Sequence, residues 1–167
     1  MSMQISVERH DVQILTPQFQ INGQLEVIGA VLNFIDDPTR TSLSLHDVHM
    51  TALTPNSPLS ELSRSQVTLL KSQIVLLHFT EAETRASIRP LVNRELLVAY
   101  TPVAVCRGYF HMPAEAGVDA FLDVTQGNLL PITEVQVYPL VALSIPFSLQ
   151  ADLLLVGRSY LQLYHQP

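Results

Sequence analysis

The segment His46-Asp47-Val48-His49 has the residue types of a metal site, because imidazole and carboxylate groups both bind zinc. On a regular strand His46 and His49 face opposite sides, so they could share one ion only if a bulge realigned them. The corresponding residues in the other half of the chain are Thr133 and Gln136, so the pattern is not repeated. We therefore predict no metal site and assign no cofactor to the chain.

Three aspartates have the chemistry that general acid-base catalysis uses. Asp36, Asp37 and Asp123 are carboxylates of the kind that such catalysis uses in pairs. Their neighbours, Pro38-Thr39 and Gln126-Gly127, favour turns. Paired catalytic carboxylates also need a cleft and a raised pKa, and the sequence indicates neither. Turn formation is therefore the better interpretation.

No residue pattern marks a catalytic centre. His78 and His165 recur at the ends of equivalent strands, and a polar cap where a strand reaches solvent explains them better than catalysis does. The chain contains no Gly-x-Gly-x-x-Gly segment, no Walker loop and no Gly-x-Ser-x-Gly elbow. We predict no catalytic residue, and a small enzyme with a site between the two halves stays an open alternative.

Basic residues are few and scattered. The chain has nine Lys and Arg against fifteen Asp and Glu, which gives a formal net charge of −6. Nucleic acid is bound by a concentrated basic patch that neutralises phosphates, so this balance argues against a nucleic-acid surface. Arg107, Arg158 and Lys71 could form a small anion site, but solvated strand edges explain them better.

The composition leaves little polar surface. Charged residues make up 14% of the chain and apolar residues 47%, whereas an average soluble domain has about 25% charged residues. A chain this apolar hides part of its surface against another subunit, so we predict a homo-oligomer. The longest apolar run, residues 137 to 157, is too broken to span a membrane. It is interrupted by Pro139, Pro146, Gln150 and Asp152.

The location and redox state follow from two simpler observations. The first residues, MSMQISVERHD, lack the apolar core of a secretory signal, so a cytoplasmic location is expected. Cys106 is the only cysteine, which excludes an intrachain disulfide and a cysteine-based zinc cluster. We interpret Cys106 as a small buried residue on a strand.

The chain repeats itself weakly, which predicts an internal duplication. An offset of 85 residues aligns Thr16, Pro17 and Gly23 with Thr101, Pro102 and Gly108, and an offset of 87 aligns residues 34 to 78 with residues 121 to 165. The paired residues fall at equivalent points of the apolar pattern, as expected of one unit used twice. We divide the chain into a first β-barrel repeat (1–79), a linker (80–95) and a second β-barrel repeat (96–167).

The apolar pattern predicts strands within each repeat. Apolar and polar residues alternate on both sides of Pro17, which indicates two strands joined by a turn. Gly23 and Gly108 interrupt the second strand of each half, where a glycine marks a bend or the close approach of another backbone. The third strand changes parity midway, so a bulge is predicted at His46-Asp47 and at Thr133-Glu134.

The end of each repeat is different. Residues 67 to 79 and residues 153 to 165 each contain two apolar runs, which predicts buried strands joined by a hairpin or a short turn. The polar breaks between the runs are Lys71-Ser72 and Gly157-Arg158-Ser159. The linker is the most charged stretch of the chain, and a short helix ended by Pro90 is predicted in it.

Each half resembles the Sm-like fold, a bent five-stranded barrel of the SH3-like type. The residues that carry the resemblance are 23–25, 43–48 and 69–75 in the first half, and 108–110, 130–135 and 155–161 in the second. The resemblance implies an all-β protein of two tandem barrels that pair edge to edge. The chain also resembles bacterial proteins of unknown function with a Thr-Pro step, a bend glycine and a Leu-x-Leu-x-Asp-Val strand. A single β-sandwich built from both halves is the alternative fold.

The departures from this family affect function more than fold. Sm-like RNA binders carry an aspartate and an asparagine just before the Leu-x-Leu strand. The corresponding residues here are Pro38 and Ser42 in the first half, and Thr125 and Leu129 in the second. The resemblance therefore implies the scaffold without its RNA-binding loop. We predict a non-enzymatic binding or assembly module that self-associates, with a weak nucleic-acid binder and a small enzyme as alternatives, and we identify no small-molecule ligand.

Overall fold

The computed structural model describes residues 4–125 and 127–167, which form ten antiparallel strands and three short helices. The first half contains β1 (Val7–Leu15), β2 (Phe19–Ile28), α1 (Val31–Asp36), β3 (Ser42–Ala52), β4 (Glu61–Leu70) and β5 (Leu76–Phe79). The linker contains α2 (Ala82–Ser87). The second half contains β6 (Arg94–Tyr100), β7 (Ala104–His111), α3 (Phe121–Val124), β8 (Leu129–Pro139), β9 (Gln150–Gly157) and β10 (Leu163–His165). The predicted all-β class is confirmed.

All the described strands belong to one open sheet, in the order β10-β6-β7-β8-β9-β5-β1-β2-β3-β4. The first half runs β5-β1-β2-β3-β4, and the same order recurs in the second half as β10-β6-β7-β8-β9. The two halves meet where β5 pairs with β9. The described strands thus form one sheet rather than the two sheets of a sandwich, while separate barrels and an internal duplication stay predictions.

The strands at the end of each half are joined by tight turns. A 3₁₀ turn at Lys71–Gln73 joins β4 to β5, and one at Arg158–Tyr160 joins β9 to β10. The predicted short turns are confirmed, but the hairpin alternative is wrong, because β4 pairs with β3 while β5 pairs with β1 and β9. The prediction of buried strands holds for β5 and for the end of β9 and is wrong for β4 and β10, which are largely exposed.

The third strand of each half contains the predicted bulge. Two residues of β3 lie opposite Gly23, and two residues of β8 lie opposite Gly108. The first residue of each bulge has a positive φ, 49° at Asp47 and 52° at Glu134. A bulge of this kind moves the following residues to the other face of the strand, so the change of apolar parity in the sequence is explained.

Gly23 and Gly108 let the bulged strands come close to their neighbours. A Cβ atom at Gly23 would lie 3.0 Å from the carbonyl oxygen of His46. At Gly108 it would lie 2.7 Å from Cγ2 of Ile132 and 3.0 Å from the carbonyl oxygen of Thr133. The close backbone approach predicted for both glycines is therefore confirmed.

A cation from each 3₁₀ turn satisfies the end of the short helix in the same half. Lys71 is only 4% exposed, and its Nζ donates to the carbonyl oxygens of Ile35 and Asp37, each at 2.8 Å. Arg158 likewise donates to two carbonyl oxygens at the end of α3. The last carbonyls of a helix lack partners within the helix, so these bonds stabilise both helix ends.

Two clusters of buried apolar side chains form the core. The first core gathers residues of β1, β2, β3 and α1, and it also includes Leu155 from β9. The second core gathers residues of β6, β7, β8 and α3, and it also includes Leu76 from β5. Each half therefore contributes three leucines to the core of the other, namely Leu129, Leu153 and Leu155 to the first core and Leu15, Leu53 and Leu76 to the second.

The helices are short and lie in the connections between strands. α2 confirms the predicted linker helix and ends at Ser87, ahead of Pro90. β6 begins at Arg94, within the predicted linker. Among the described residues, no helix has both the length and the apolar character that crossing a membrane requires.

Candidate functional site at the sheet edges and between the halves

The pairing of β5 with β9 holds the two halves together, and we call it the internal joint. Leu76 lies opposite Val156 and Leu77 lies opposite Leu155. All four side chains are 0% exposed. Full burial of a valine or leucine side chain stabilises a protein by about 1.5–3 kcal/mol, so these contacts are a substantial part of the stability of the joint.

Polar contacts reinforce the internal joint. The N–H of Gly157 donates to the carbonyl oxygen of Val75 at 2.7 Å. Arg85 of α2 forms an ion pair with Asp152 of β9, with 2.5 Å between Nε and Oδ1. Gln20 of β2 is fully buried and binds backbone groups of the loop between β8 and β9. The halves are thus fixed relative to each other by backbone, ionic and amide contacts.

The outer strand β4 corresponds to β9 of the internal joint, and the outer strand β10 corresponds to β5. Unlike β5 and β9, the outer strands each have one unpaired edge among the described strands. In the described part of the chain each pairs on one side only, which leaves a row of backbone N–H and C=O groups unpaired. Leu163 of β10 is 54% exposed, whereas its counterpart Leu76 is 0% exposed. Leu70 of β4 is also 54% exposed, and its counterpart Gly157 is buried.

The two ends of β4 differ in character. At its start Glu61 pairs with His49 across β3 and β4, at 3.0 Å, and Arg64 is exposed. At its other end come Leu69 and Leu70, next to the 3₁₀ turn. Charges at a sheet edge discourage pairing with another chain, and this end of β4 lacks them. The apolar end of β4 is therefore the part suited to pairing.

A cavity of about 390 Å³ lies between the halves. Leu32 and Asp36 of α1 line one side, linker residues 89–91 line another, and His111 and Val124 of the second half complete much of the wall. A mainly apolar lining with a few polar groups is typical of small-molecule sites. The space that the enzyme alternative requires is thus present.

Asp36 is the most unusual polar group of this cavity. Its Oδ1 atom is buried and has no hydrogen-bond partner among the described residues. Burial raises the pKa of Asp36 to about 6, although the ammonium of Lys71 acts in the opposite direction. A Cβ atom at Gly127 would lie 2.9 Å from Oδ1, so this glycine makes room for the carboxylate. No local pattern predicts the shift, because Gly127 belongs to the other half.

His111 also lines the cavity, and both nitrogens of its ring are already engaged. Nδ1 lies 2.5 Å from the carbonyl oxygen of Leu91, and Nε2 lies 2.7 Å from the hydroxyl oxygen of Thr133. An imidazole has only these two nitrogens for hydrogen bonding. His111 therefore has no free nitrogen for proton transfer to a bound molecule, and its contacts indicate a structural role in the wall.

The two histidines considered for a metal site contact different carboxylates. His46 Nε2 lies 2.8 Å from Glu26 Oε2 on β2, and His49 Nε2 lies 3.0 Å from Glu61 Oε1 on β4. The described residues contain no group of three or more His, Cys, Asp and Glu side chains that could hold a metal ion. The bulge at Asp47 therefore accompanies two separate histidine-carboxylate contacts.

His78 and His165 have different surroundings although they occupy equivalent strands. His78 is 5% exposed and its Nδ1 lies 3.3 Å from Oε1 of Gln13, so the predicted solvent-facing cap is wrong there. Burial, with a contribution from Arg85, lowers the pKa of His78. His165 is exposed at the end of β10, as predicted, and contacts the hydroxyl group of Tyr100 at 3.2 Å. The difference arises because β9 covers β5, whereas β10 is an outer strand.

The turn prediction for the aspartates holds at one of three positions. Asp37 accepts bonds from the hydroxyl group and the N–H of Thr39, at 2.7 and 2.9 Å, and these bonds lower the pKa of Asp37. Asp36 and Asp123 instead lie in α1 and α3. The turn interpretation is therefore wrong for these two residues.

The cations considered for an anion site are used elsewhere. Lys71 and Arg158 bind carbonyl oxygens at the ends of α1 and α3, and Lys71 is buried, so the solvated strand edge predicted for it is wrong. Arg107 is solvent-exposed, on β7. Cys106 is buried on β7, as predicted for a core residue, and burial raises the pKa of its thiol to about 12. A thiol with such a pKa is almost fully protonated at neutral pH and is a poor nucleophile.

Comparison of the chain with protein families, with curated proteins and with solved structures finds no match. The functional assignment therefore depends on the geometry of the molecule alone. In the part of the chain that the structure describes, the pair of open edges and the cavity beside Asp36 are both suited to binding.

Proposed function

We propose that this protein is a non-enzymatic assembly module that self-associates head to tail, with β10 of one copy pairing with β4 of the next. The observation that supports this most strongly is the internal joint. It pairs the last strand of the first half with the fourth strand of the second half, β5 with β9. The open edges are the last strand of the second half and the fourth strand of the first half, so the same combination is available between chains.

The register of the proposed contact follows from the offset of 87 residues between the halves. The pair Leu76 and Val156 corresponds to Leu163 of one chain and Leu69 of the next. Leu76 belongs to the core of the half that it contacts. Leu163 would likewise enter the first core of the next chain beside Leu69, which explains why so large an apolar side chain is exposed in a single copy.

The proposal takes each half to be an Sm-like barrel that arose by duplication. The matching strand orders, the two bulges and the two capping cations support this view, because unrelated halves have no reason to share all three. A head-to-tail contact between unlike edges produces either a closed ring or a filament, depending on the rotation between copies. The low charge content agrees with surface being covered in such an assembly.

Assembly is better supported than the two alternatives. Nucleic-acid binding is less well supported, because the nine Lys and Arg are scattered along a chain of net charge −6, whereas phosphates are neutralised by clustered basic residues. Catalysis between the halves has a cavity and, in Asp36, a carboxylate of raised pKa. The imidazole of His111 is engaged within the cavity wall and is therefore not free to act with that carboxylate. The open edges, in contrast, are the same combination of strands that the internal joint already pairs.

Light scattering coupled to size exclusion tests the proposal. The wild-type protein at micromolar concentration is expected to have a mass that is a multiple of 18.6 kDa. Leu163→Lys should reduce that mass to one chain, because a charge would be buried in the next copy. Leu140→Lys is the matched control, since Leu140 is similarly exposed at 59% and follows β8, which lies inside the sheet. A wild-type mass of one chain, or equal effects of both lysines, would contradict the proposal.

A further inference from the structure

The internal joint requires a glycine at position 157. A Cβ atom there would lie 2.0 Å from the carbonyl oxygen of Ile74 and 3.1 Å from its carbonyl carbon. A separation of 2.0 Å is far inside van der Waals contact, and the obstacle is backbone rather than a movable side chain. The strands β5 and β9 can therefore lie this close only because Gly157 has no side chain.

The open edge carries a leucine at the corresponding place. Leu70 precedes the 3₁₀ turn of the first half as Gly157 precedes that of the second. Their backbones match closely, with φ and ψ of −73° and 122° at Leu70 and −67° and 114° at Gly157. Ile74 and Leu161, which follow the two turns, also match, at −76° and 120° against −68° and 109°. The Cβ atom of Leu70 therefore points where a Cβ atom at Gly157 would point.

A second copy consequently cannot reproduce the internal joint on β4 without moving. In that arrangement the Cβ of Leu70 would meet the carbonyl oxygen of Leu161 in the incoming chain. In the internal joint, the N–H of Gly157 donates to the carbonyl oxygen of Val75 at 2.7 Å. The corresponding hydrogen bond between chains would run from the N–H of Leu70 to the carbonyl oxygen of Gln162. It would be lost as the strands separate. The pairings of Thr68 with Tyr164 and of Leu69 with Leu163 remain possible, because the obstacle lies at Leu70, beyond both of them.

We infer that Leu70 holds the joint between chains open at one end and so makes association weaker and more reversible than the contact within the chain. This inference rests on the proposed function, because it concerns the edge through which copies pair. Leu70 is then the residue that sets the strength of self-association, and its Cβ atom, rather than its apolar character, is responsible.

Two substitutions separate the effect of the Cβ atom from the effect of the exposed side chain. Leu70→Gly removes the obstacle and is expected to lower the dissociation constant between chains about tenfold or more, as one regained backbone hydrogen bond would. Leu70→Ala removes most of the apolar surface but keeps the Cβ atom, so it should not tighten association. Sedimentation velocity over a range of concentrations measures the dissociation constant of each variant and of the wild type. Circular dichroism verifies that both variants fold.

The outcomes distinguish this inference from the proposed function. A lower dissociation constant for Leu70→Gly than for Leu70→Ala and for the wild type supports the inference. Association of the wild type with no gain in Leu70→Gly over Leu70→Ala overturns the inference and leaves the proposed function standing. Single chains in all three proteins would overturn both.

Discussion

Gly157→Ala places one methyl group at the tightest point of the internal joint. The new Cβ atom would lie 2.0 Å from the carbonyl oxygen of Ile74, so β5 and β9 must separate there. Overpacking of this kind costs about 1–3 kcal/mol. The bond between Gly157 and Val75 would lengthen as well, and an intramolecular hydrogen bond contributes about 0.5–1.5 kcal/mol. We therefore expect Gly157→Ala to lower the free energy of unfolding by about 2–4 kcal/mol.

Urea unfolding followed by circular dichroism measures this loss, at a protein concentration where light scattering finds single chains. Working with single chains matters because association would make the apparent stability depend on concentration. A lower urea concentration at the unfolding midpoint, with an unchanged slope of the free energy of unfolding against urea, would show that stability has changed and the compactness of the unfolded chain has not.

Gly117→Ala is the matched control for the same chemical change. Nothing lies within 4 Å of a Cβ atom at Gly117, and its φ of −83° suits any residue. Alanine there should leave the stability unchanged or raise it by up to about 1 kcal/mol, because the unfolded chain loses freedom. A Cβ atom at Gly23 would lie 3.0 Å from the carbonyl oxygen of His46, so the loss of stability in Gly23→Ala should lie between those of Gly157→Ala and Gly117→Ala. A Gly157→Ala protein as stable as the wild type, or no more affected than Gly117→Ala, would refute the close packing of the joint.

Three further predictions concern buried polar groups. The pKa of Asp36 is raised from 3.8 to about 6, so the folded protein binds the proton more tightly than the unfolded chain does. The free energy of unfolding should therefore fall as pH rises from about 4 to 6. Asp36→Asn should raise the free energy of unfolding by about 1–2 kcal/mol at pH 7.5, after allowance for solvent screening, and should leave it unchanged at pH 3.5. Lys71→Met should lower the free energy of unfolding by about 2 kcal/mol, measured in urea, because two carbonyl oxygens lose a charged donor. Cys106 should react with a thiol reagent at least a hundredfold more slowly in the native protein than in urea, because it is buried with a pKa of about 12.

Features determined by local pattern could be predicted from the sequence. The change of apolar parity after His46 and after Thr133 requires an extra residue in each strand, and both bulges are present. The glycines at positions 23 and 108 interrupt an otherwise regular alternation, which indicated their close contacts. The linker helix was also predictable from local sequence, namely the charged residues of the linker and the position of Pro90.

Features determined by contacts between distant segments could not be predicted. Nothing in residues 67 to 79 distinguishes β5, which is covered, from the end of β4, which is open, because residues 67–70 of β4 form an apolar run as β5 does. The role of Gly157 was likewise hidden, since a glycine before a turn indicates the turn rather than a neighbouring strand. The raised pKa of Asp36 depends on burial against a loop of the other half, and the sequence around Asp36 resembles an ordinary turn.

Disulfide trapping tests the pairing of β10 with β4 most directly. A mixture of Leu69→Cys and Leu163→Cys chains should form a mixed dimer of twice 18.6 kDa on oxidation, because directly opposed residues lie within the range of a disulfide bond. Cys106 is buried and should not interfere. Tyr138→Cys, at an exposed position inside the sheet order, should not link to Leu163→Cys. A mixed dimer restricted to the first mixture is the predicted result, and equal linking in both mixtures, or in neither, would contradict head-to-tail assembly.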